Sequence, residues 1–495
     1  MSKATESYAA LMAHERISQA LVQVAGRLGW DQETVMPRGA ADQRAEETGA
    51  MESVLHARRT DPRIGEWLAD LETADLTNVQ SANLRHISRS YTRANRVPAD
   101  LAQRLATLTS RAQGQWADAR EANDFAAFVP VLSEVVALKR EEGAALADGG
   151  DVYDALLDDY EPGATGADLS AMFASLRPAL VDLRARALEA AAPAPLTGTF
   201  DAGKQMKLAR SIAKTFGYDF KRGRIDKAVH PFSSGGGADV RITTRTQEDD
   251  PLNCLYSTIH EVGHACYEQN IDAAYALTPL GQGVSMGVHE SQSRIYENQL
   301  GRSRAFTEYL YGQMRDSFGD FGCASAEDFY RAVNRLNQGY IRTEADEVQY
   351  NLHVMLRFDL ERALIAGTLA VADLEEAWNT RFESDFGYPV DQASNGCLQD
   401  VHWSVGLFGY FATYSLGNVY AGCLNEALCA AVPDLDGQLR GGDLGPATEW
   451  LAQNLQRHGG LMPPREVITQ AAGAAPNEAP LLAYLEAKFS DIYHL

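Results

Sequence analysis

The sequence predicts a mainly helical fold with one small strand. Along much of the chain apolar residues recur every three or four positions, as at Leu101, Leu105 and Leu108, and this is the spacing of one face of an α-helix. Residues 239–245 (DVRITTR) instead alternate in character from one residue to the next, which is the pattern of a strand. The serine- and glycine-rich segment 233–240 predicts a flexible loop. We therefore expect long helices separated by short turns.

The length of the chain, 495 residues, suits either one large domain or three small ones. An average of roughly 150 residues per domain suggests three, but many single domains are larger. Pro193 and Pro195, in the segment AAAPAPLTG, interrupt a helical pattern and form the clearest linker candidate. The prediction is a single domain over residues 1–495, with a candidate subdomain break near 190–200.

The composition argues against nucleic acid and membrane as partners. A formal net charge of -23 would be repelled by phosphate backbones and by anionic lipid. No apolar run approaches the roughly 20 residues that span a bilayer, and the first residues lack the basic start and apolar core of a secretory signal. Six sparse cysteines without a CxxC pair indicate free, mostly buried thiols. We expect a cytoplasmic protein.

A helix is predicted to begin at Pro251 and to continue to about residue 269. Asp250 can cap its first turn, and proline suits the first helical position. Residues four apart on a helix lie about 40° apart around its axis. The stretch HEVGH (260–264) therefore presents its two histidines on one face.

Two histidines and a glutamate in this arrangement suit metal-dependent hydrolysis. His260 and His264 can bind one ion, while the carboxylate of Glu261 can reach a water molecule on that ion. The pentapeptide alone leaves open the other reading, in which the two histidines lie on an ordinary helix. A catalytic zinc site also needs a third protein ligand.

The third ligand is expected from a later helix. Asn270 stands where the metzincin pattern needs its third histidine, so that class is excluded. Glu290, 26 residues beyond His264, lies at the start of a second helical segment, HESQSRIYENQL, from which a carboxylate could meet the same ion. Other side chains near it in sequence compete for this role: Glu268, His289 and Glu297.

The predicted strand lies just before the histidine helix. A free strand edge can pair with the backbone of an extended peptide, so this edge is a candidate for substrate binding. A structural hairpin without a ligand remains the alternative.

Several ordered motifs resemble those of one enzyme family, the thermostable carboxypeptidase Taq metallocarboxypeptidases (peptidase family M32). HEVGH and HESQSR are accompanied by four further motifs of that family in the family's order: HPF (230–232), DVRIT (239–243), IRTEAD (341–346) and GCLQDVHW (396–403). The segments WDQETVMPRGA (30–40) and GYFATYSLG (409–417) are also similar, so the resemblance spans nearly the whole chain.

The resemblance implies a zinc-dependent carboxypeptidase that releases single C-terminal amino acids with broad specificity and releases proline poorly. His260, His264 and Glu290 would bind one zinc ion per subunit, with cobalt as an alternative, and Glu261 would be the catalytic acid and base. The implied fold is one large helical domain with a deep active-site groove and a small sheet beside it. This is the gluzincin architecture of neurolysin and angiotensin-converting enzyme, and the implied assembly is a homodimer.

A carboxypeptidase must bind the free C-terminus of its peptide substrate, and a buried arginine suits this because its planar fork can contact both carboxylate oxygens. By the resemblance, Arg342 is the first candidate. Arg342 could instead form a structural ion pair with Glu344 or Asp346.

Six other residues complete the expected substrate site. They are His230, Asp239, Arg241, Thr243, His402 and Tyr414. His402 or Tyr414 could stabilise the negative oxygen that develops on the scissile carbonyl. His230, Arg241 and His402 could equally be satisfied structural residues.

Two other functions share these residues. An endopeptidase with an open-ended groove would cleave peptides whose C-terminus is blocked, whereas a carboxypeptidase would cleave them little. A helical scaffold would use zinc only to hold two helices together, but structural zinc usually has four protein ligands.

Overall fold

The computed structural model describes residues 2–495 and confirms a mainly helical fold. Nine α-helices precede the sheet: α1 (Lys3–Thr34), α2 (Ala41–Arg59), α3 (Pro62–Leu71), α4 (Asn78–Arg96), α5 (Ala99–Ala122), α6 (Phe125–Ala147), α7 (Val152–Leu157), α8 (Gly166–Glu189) and α9 (Ala202–Thr215). The strands are β1 (Ile225–Lys227), β2 (Ser233–Gly236) and β3 (Asp239–Thr244). Eleven α-helices follow: α10 (Pro251–Asn270), α11 (Met286–Arg294), α12 (Arg304–Phe318), α13 (Ala326–Val333), α14 (Glu347–Ala366), α15 (Leu374–Phe386), α16 (Ala412–Ala431), α17 (Leu435–Arg440), α18 (Gly445–Asn454), α19 (Pro464–Ala472) and α20 (Ala479–Tyr493).

The predicted strand is β3, and it is the central strand of the sheet. It pairs in parallel with β1 and antiparallel with β2, with Ile242 opposite both Ile225 and Ser233. The prediction of a flexible loop over 233–240 is therefore wrong in its first half, because those serines and glycines form β2. Both edges of β3 are occupied, so this strand offers no free edge to a peptide.

The histidine helix begins and ends as the sequence predicts. Asp250 accepts hydrogen bonds from the backbone N–H groups of Leu252 and Asn253, and Pro251 is the first residue of α10. The helix packs on the sheet through Thr244, whose hydroxyl donates to the carbonyl oxygen of Cys254 at 3.1 Å. The sheet therefore supports the helix that carries HEVGH.

The segment that follows α11 departs from α-helical geometry. Residues Ile295–Gly301 form a π-helix that continues α11 without a break. A π-helix has hydrogen bonds that span one more residue than those of an α-helix; it is rare and is found frequently at functional sites. The wider turn changes the direction in which the side chains after Arg294 point, compared with a regular α-helix.

Most of the buried apolar side chains form one large core. Residues on both sides of the segment 190–200, such as Leu183 and Leu208, belong to it. A second, smaller core lies between α1, α3 and α4 around Leu11 and Ile64. The single domain over 1–495 stays a prediction, as does a subdomain break near 190–200.

The cysteines agree with the prediction of free, mostly buried thiols. All six are unpaired in the described chain; Cys429 is exposed and the other five are buried. Among residues 2–495, no helix combines the length and the apolar character that crossing a membrane requires.

The cap of α10 gives a test of how this helix is stabilised. Replacing Asp250 by alanine removes the acceptor for two N–H groups, so Asp250→Ala should lower the free energy of unfolding by about 1 kcal/mol. Asp250→Asn keeps an acceptor oxygen and should change it by less than half of that. Urea unfolding followed by circular dichroism measures both variants, and equal losses for the two would contradict a capping role.

Candidate metal centre

The structure brings His260 and His264 of α10 together with Glu290 of α11. One possible ligand atom from each of the three residues lies within 4.8 Å of the other two. Oε2 of Glu290 is 3.8 Å from Nε2 of His260 and 3.4 Å from Nε2 of His264. The two imidazole rings are nearly perpendicular, with centroids 5.0 Å apart. Both Nε2 atoms and one carboxylate oxygen thus converge on one small space.

A carboxylate orients His260 from the side away from Glu290. Nδ1 of His260 lies 2.9 Å from Oε2 of Glu297, which belongs to the π-helix. Glu297 is held in turn by Arg294 and by Arg302, whose Nη2 donates to Oε1 at 3.0 Å. Because Glu297 accepts a hydrogen bond from the N–H at Nδ1, the lone pair of Nε2 is directed toward Glu290.

His264 is oriented through a second histidine. Nδ1 of His264 lies 2.6 Å from Nδ1 of His289, and Nε2 of His289 lies 3.2 Å from Oε1 of Glu268. Glu268 as the final acceptor requires the proton of His289 to be on Nε2, so His264 donates from Nδ1. The lone pair on Nε2 of His264 therefore also faces Glu290.

This donor set fits a transition-metal ion. Two imidazole nitrogens and one carboxylate oxygen are the ligand types of a three-ligand catalytic zinc site. Each histidine has a hydrogen-bond acceptor on its other nitrogen, which is the usual support for a metal-binding imidazole. His289 and Glu297, which compete with Glu290 in sequence, instead occupy these supporting positions.

The charges around the three residues favour a bound cation. Burial opposes ionisation of Glu290, but Arg294 and the two histidines outweigh it and lower the pKa of Glu290. Burial lowers the pKa of His264 to about 3, so this imidazole is neutral at neutral pH. For His260, burial is outweighed by Glu290 and Glu297, which raise its pKa. A metal ion between these residues would take the place of that proton.

The carboxyl group of Glu261 lies close enough to His260 and Glu290 for their charges to act on it. This side chain is buried, at 6% exposure, and its oxygens have no hydrogen-bond partner among residues 2–495. Burial raises the pKa of Glu261 to about 7. A carboxyl group with such a pKa can both accept and return a proton near neutral pH.

Two glycines permit the close packing of the helices that carry the three residues. A Cβ on Gly263, inside HEVGH, would lie 2.5 Å from the carbonyl oxygen of Gln292 on α11. A Cβ on Gly417 of α16 would lie 2.6 Å from Cβ and 2.7 Å from Cγ of Glu290. Glu290 is therefore enclosed between α10 and α16, with little space for its carboxylate to move away.

Arg342, which follows the metal-centre residues in the sequence, is buried in a cluster of ion pairs with Asp400 and Arg357. It is 4% exposed and forms the first residue of a short 3-10 turn, Arg342–Glu344. Its Nη2 donates to Asp400 at 2.8 Å, and the other oxygen of Asp400 accepts from Nε of Arg357 at 2.6 Å. The alternative partners expected from sequence, Glu344 and Asp346, are therefore wrong, and the partner is Asp400.

His402 and Tyr414 lie near the same cluster. Nδ1 of His402 is 3.7 Å from Asp400, and burial lowers the pKa of His402 to about 4. The guanidinium of Arg342 lies 5.0 Å from the ring centroid of Tyr414. The hydroxyl group of Tyr414 lies 3.5 Å from that of Tyr410. These residues form an aromatic and cationic wall around Arg342.

Asp239 and Arg241, expected at the substrate, form ion pairs at the sheet. Asp239 accepts from Arg241 at 2.8 Å and from Arg27 of α1 at 2.9 Å. Arg241 also lies over the ring of Trp30, 4.6 Å from its centroid. These contacts join the sheet to the N-terminal helix.

The remaining two expected residues differ in their exposure. Thr243 is buried, and its hydroxyl accepts from the N–H of Phe232 at 2.9 Å, which fixes the β2–β3 pairing. His230 is exposed in the loop before β2. Neither residue contacts the metal centre by a hydrogen bond.

Sequence reasoning missed several residues that support the site. Arg294, Tyr350 and Asp400 lie in or next to motifs, yet their contacts depend on tertiary packing. Only one of these contacts could be expected from the sequence. Glu290 and Arg294 are four residues apart, and this spacing suits an ion pair on one face of a helix. The ion pair is present at 2.6 Å.

The chain is similar to known metallocarboxypeptidases over nearly its whole length. The family described as carboxypeptidase Taq (M32) metallopeptidase matches residues 10–489. Thermostable carboxypeptidase 1 of Thermus thermophilus is 38% identical, over 98% of this chain and 99% of that protein. Carboxypeptidase 1 of Bacillus subtilis is 35% identical, over 94% of each chain.

Solved structures show the same similarity. The M32 carboxypeptidase from Deinococcus radiodurans R1 superposes with a TM-score of 0.96 at 39% identity, covering 99% of this chain and 100% of that one. Metallocarboxypeptidase 1 of Trypanosoma cruzi superposes with a TM-score of 0.95 at 35% identity, covering 98% and 99% of the two chains.

The packing of Gly417 on Glu290 leads to a test of the metal site. A methyl group at position 417 must displace Glu290, because its nearest neighbours are the Cβ and Cγ atoms of that residue. We expect Gly417→Ala to weaken metal affinity by roughly 10- to 100-fold, the range seen when groups that orient ligands are lost. Titration of the metal-free protein with zinc measures this change.

Gly422 provides a matched control on the same helix. A Cβ there would lie 2.8 Å from the backbone nitrogen of Leu481 and faces α20. Gly422→Ala should therefore lower the thermal midpoint while leaving metal affinity close to that of the wild type. Equal losses of affinity in both variants would indicate a general effect of helix packing instead.

Proposed function

This chain belongs to the carboxypeptidase Taq (M32) metallopeptidases and is a metallocarboxypeptidase, and we propose that it uses zinc to release single amino acids from the C-terminus of peptides. We further propose broad specificity with poor release of proline. The observation that carries the proposal is the convergence of His260, His264 and Glu290 beside the buried Glu261.

The proposed ligands are His260, His264 and Glu290. An ion held by them would polarise the scissile carbonyl and lower the pKa of a water molecule at its open position. Glu297 and His289 keep the two imidazoles in the orientation that this role requires.

Glu261 is the proposed acid and base. Its carboxyl group takes a proton from the attacking water molecule and then gives that proton to the leaving nitrogen. Burial supports this assignment, because it brings the pKa of Glu261 to about 7 and so balances both transfers. Proton transfer by a positioned side chain typically accelerates a reaction by about 10² to 10⁴.

Arg342 is the proposed site for the free C-terminus. Its positive charge is buried, so that its attraction for a carboxylate is screened little by water. His402 and Tyr414 are proposed to donate hydrogen bonds to the oxygen that becomes negative at the scissile carbonyl. A low pKa suits His402 to this role, since its imidazole is then a neutral donor.

His230, Asp239, Arg241 and Thr243 are proposed to line the same substrate site from the side of the sheet. The proposed groove lies between this sheet and the helices and has the gluzincin architecture of neurolysin and angiotensin-converting enzyme. Peptides with a free C-terminus are the proposed partners.

The assembly and the cellular setting are also proposals. The family resemblance supports a homodimer with one zinc ion per subunit, in which cobalt can replace zinc. Six unpaired thiols in the described chain support a reducing compartment, the cytoplasm.

Replacing the proposed base separates chemistry from metal binding. Glu261→Gln keeps the size of the side chain but cannot accept a proton, so turnover should fall by about 10² to 10⁴ while metal content is unchanged. Turnover is measured with a dipeptide that is blocked at its N-terminus and has a free C-terminal carboxylate. Metal content is measured by elemental analysis. Glu308→Gln, on the surface, is the control and should match the wild type. Near-normal turnover in Glu261→Gln would refute the proposed role.

The proposed function is tested with two forms of one peptide, one with a free C-terminus and one with a C-terminal amide. Mass spectrometry over time should show residues leaving singly from the free form and little cleavage of the amide. The purified protein should hold one zinc ion per chain. A chelator should abolish activity, and added zinc or cobalt should restore it.

The alternatives give different products. Internal fragments, or equal cleavage of both peptides, would indicate an endopeptidase. Zinc that remains bound without any cleavage of either peptide would indicate a structural role for the metal.

A further inference from the structure

The carboxylate-binding edge of Arg342 is already occupied. Nε and Nη2 of Arg342 lie 3.3 Å and 2.8 Å from the same oxygen of Asp400. A peptide carboxylate could take this edge only by displacing Asp400, which would leave a buried carboxylate with Arg357 as its remaining arginine partner. The free C-terminus must therefore be bound by donors other than Nε and Nη2 of Arg342.

The remaining nitrogen of Arg342 points to a donor that the family motifs do not include. Nη1 donates to the hydroxyl oxygen of Tyr350 at 3.2 Å. A guanidinium Nη1 carries two hydrogens, and a phenol that accepts one of them still has its own proton to donate. In the described part of the chain, neither the second hydrogen of Nη1 nor the hydroxyl proton of Tyr350 has an acceptor. Two adjacent donors are therefore free.

The ring of Tyr350 connects this pair of donors to the metal centre. The guanidinium of Arg294 lies over the ring, 4.1 Å from its centroid, and Nε of Arg294 donates to Glu290 at 2.6 Å. One rigid side chain thus extends from the partner of a proposed metal ligand to Arg342. This contact limits how far the two donors can lie from the scissile bond.

We propose that the hydroxyl group of Tyr350 donates a hydrogen bond to the terminal carboxylate of the peptide, beside Nη1 of Arg342. Arg342 supplies the positive charge, and Asp400 holds the guanidinium group of Arg342 in place through Nε and Nη2. This inference rests on the proposed function and adds a substrate-binding residue to it. Because both side chains are buried, at 4% and 6% exposure, their hydrogen bonds to a carboxylate compete little with water.

The proposal also explains why residues would leave singly. Arg294 lies over the ring of Tyr350 and also donates to Glu290, so a carboxylate bound by the two donors would lie near the metal centre. A peptide that extended further past the scissile bond would have to place its chain where the buried cluster of Arg342, Tyr350 and Asp400 lies.

Tyr350→Phe tests the hydroxyl group while keeping the ring over Arg294. The substrates are a blocked dipeptide with a free C-terminal carboxylate and the same dipeptide as its amide. For the free acid, KM should rise by roughly 10- to 100-fold, which corresponds to one hydrogen bond to a charged group. The kcat for the acid, the kcat/KM for the amide, the zinc content and the thermal midpoint should stay near the wild-type values.

Tyr311→Phe is the matched control. Tyr311 is half-buried in α12, and its hydroxyl donates to the carbonyl oxygen of Cys323 at 3.2 Å. This variant loses the same atom outside the site and should leave KM for the free acid unchanged. A similar rise of KM in both variants would overturn the proposal.

Three other results would also overturn it. In Tyr350→Phe, KM for the acid could stay unchanged, or kcat could fall while KM stays unchanged. The third result is a loss of zinc together with activity, which would indicate a structural role for the hydroxyl group. In each case the wild type would still prefer the acid to the amide, and the proposed function would stand. A wild type without that preference would overturn the proposed function and this inference together.

Discussion

The close approach of α10 to α11 is the constraint on which the site depends. Gly263 lies between the two histidines and directly against the backbone of α11, so that the histidines and Glu290 project into the same space. Gly417 closes this space from α16. A larger residue at either position would separate the helices, and two imidazoles without the carboxylate form an incomplete site. The two glycines thus determine a distance, whereas the histidines and the glutamate determine the chemistry.

Two groups of buried charges extend from this contact. Around the metal centre, Arg294 and Arg302 compensate Glu290 and Glu297, while around Arg342 a single carboxylate, Asp400, compensates two arginines. In the first group the arginines keep both glutamates ionised, so Glu290 can offer a carboxylate to a cation between the histidines. The second group has one more arginine than carboxylates and therefore carries a net positive charge that can attract an anion. Tyr350 contacts a guanidinium from each group, so the two are linked by one side chain.

Local patterns in the sequence predicted the elements better than their contacts. The start of α10, the helical nature of the Glu290 segment and the strand at 239 all follow from capping, periodicity and alternation, and all are present. The strand β2 was missed because serine and glycine have low strand propensity, and its pairing with β3 supplies the stability that its side chains lack. The partner of Arg342 was missed because Asp400 is 58 residues away, and no local pattern indicates such a pairing.

The π-helix after α11 has a consequence for how this chain can vary in length. Glu290, Arg294 and Glu297 all act from one continuous helical segment, and its wide turn sets the direction of Glu297 toward His260. Inserting or deleting one residue there would rotate everything that follows by about 100°. Surface loops tolerate such changes, but here the register of the backbone is itself part of the site. Homologous proteins should therefore keep this segment at constant length even where the side chains between these positions differ.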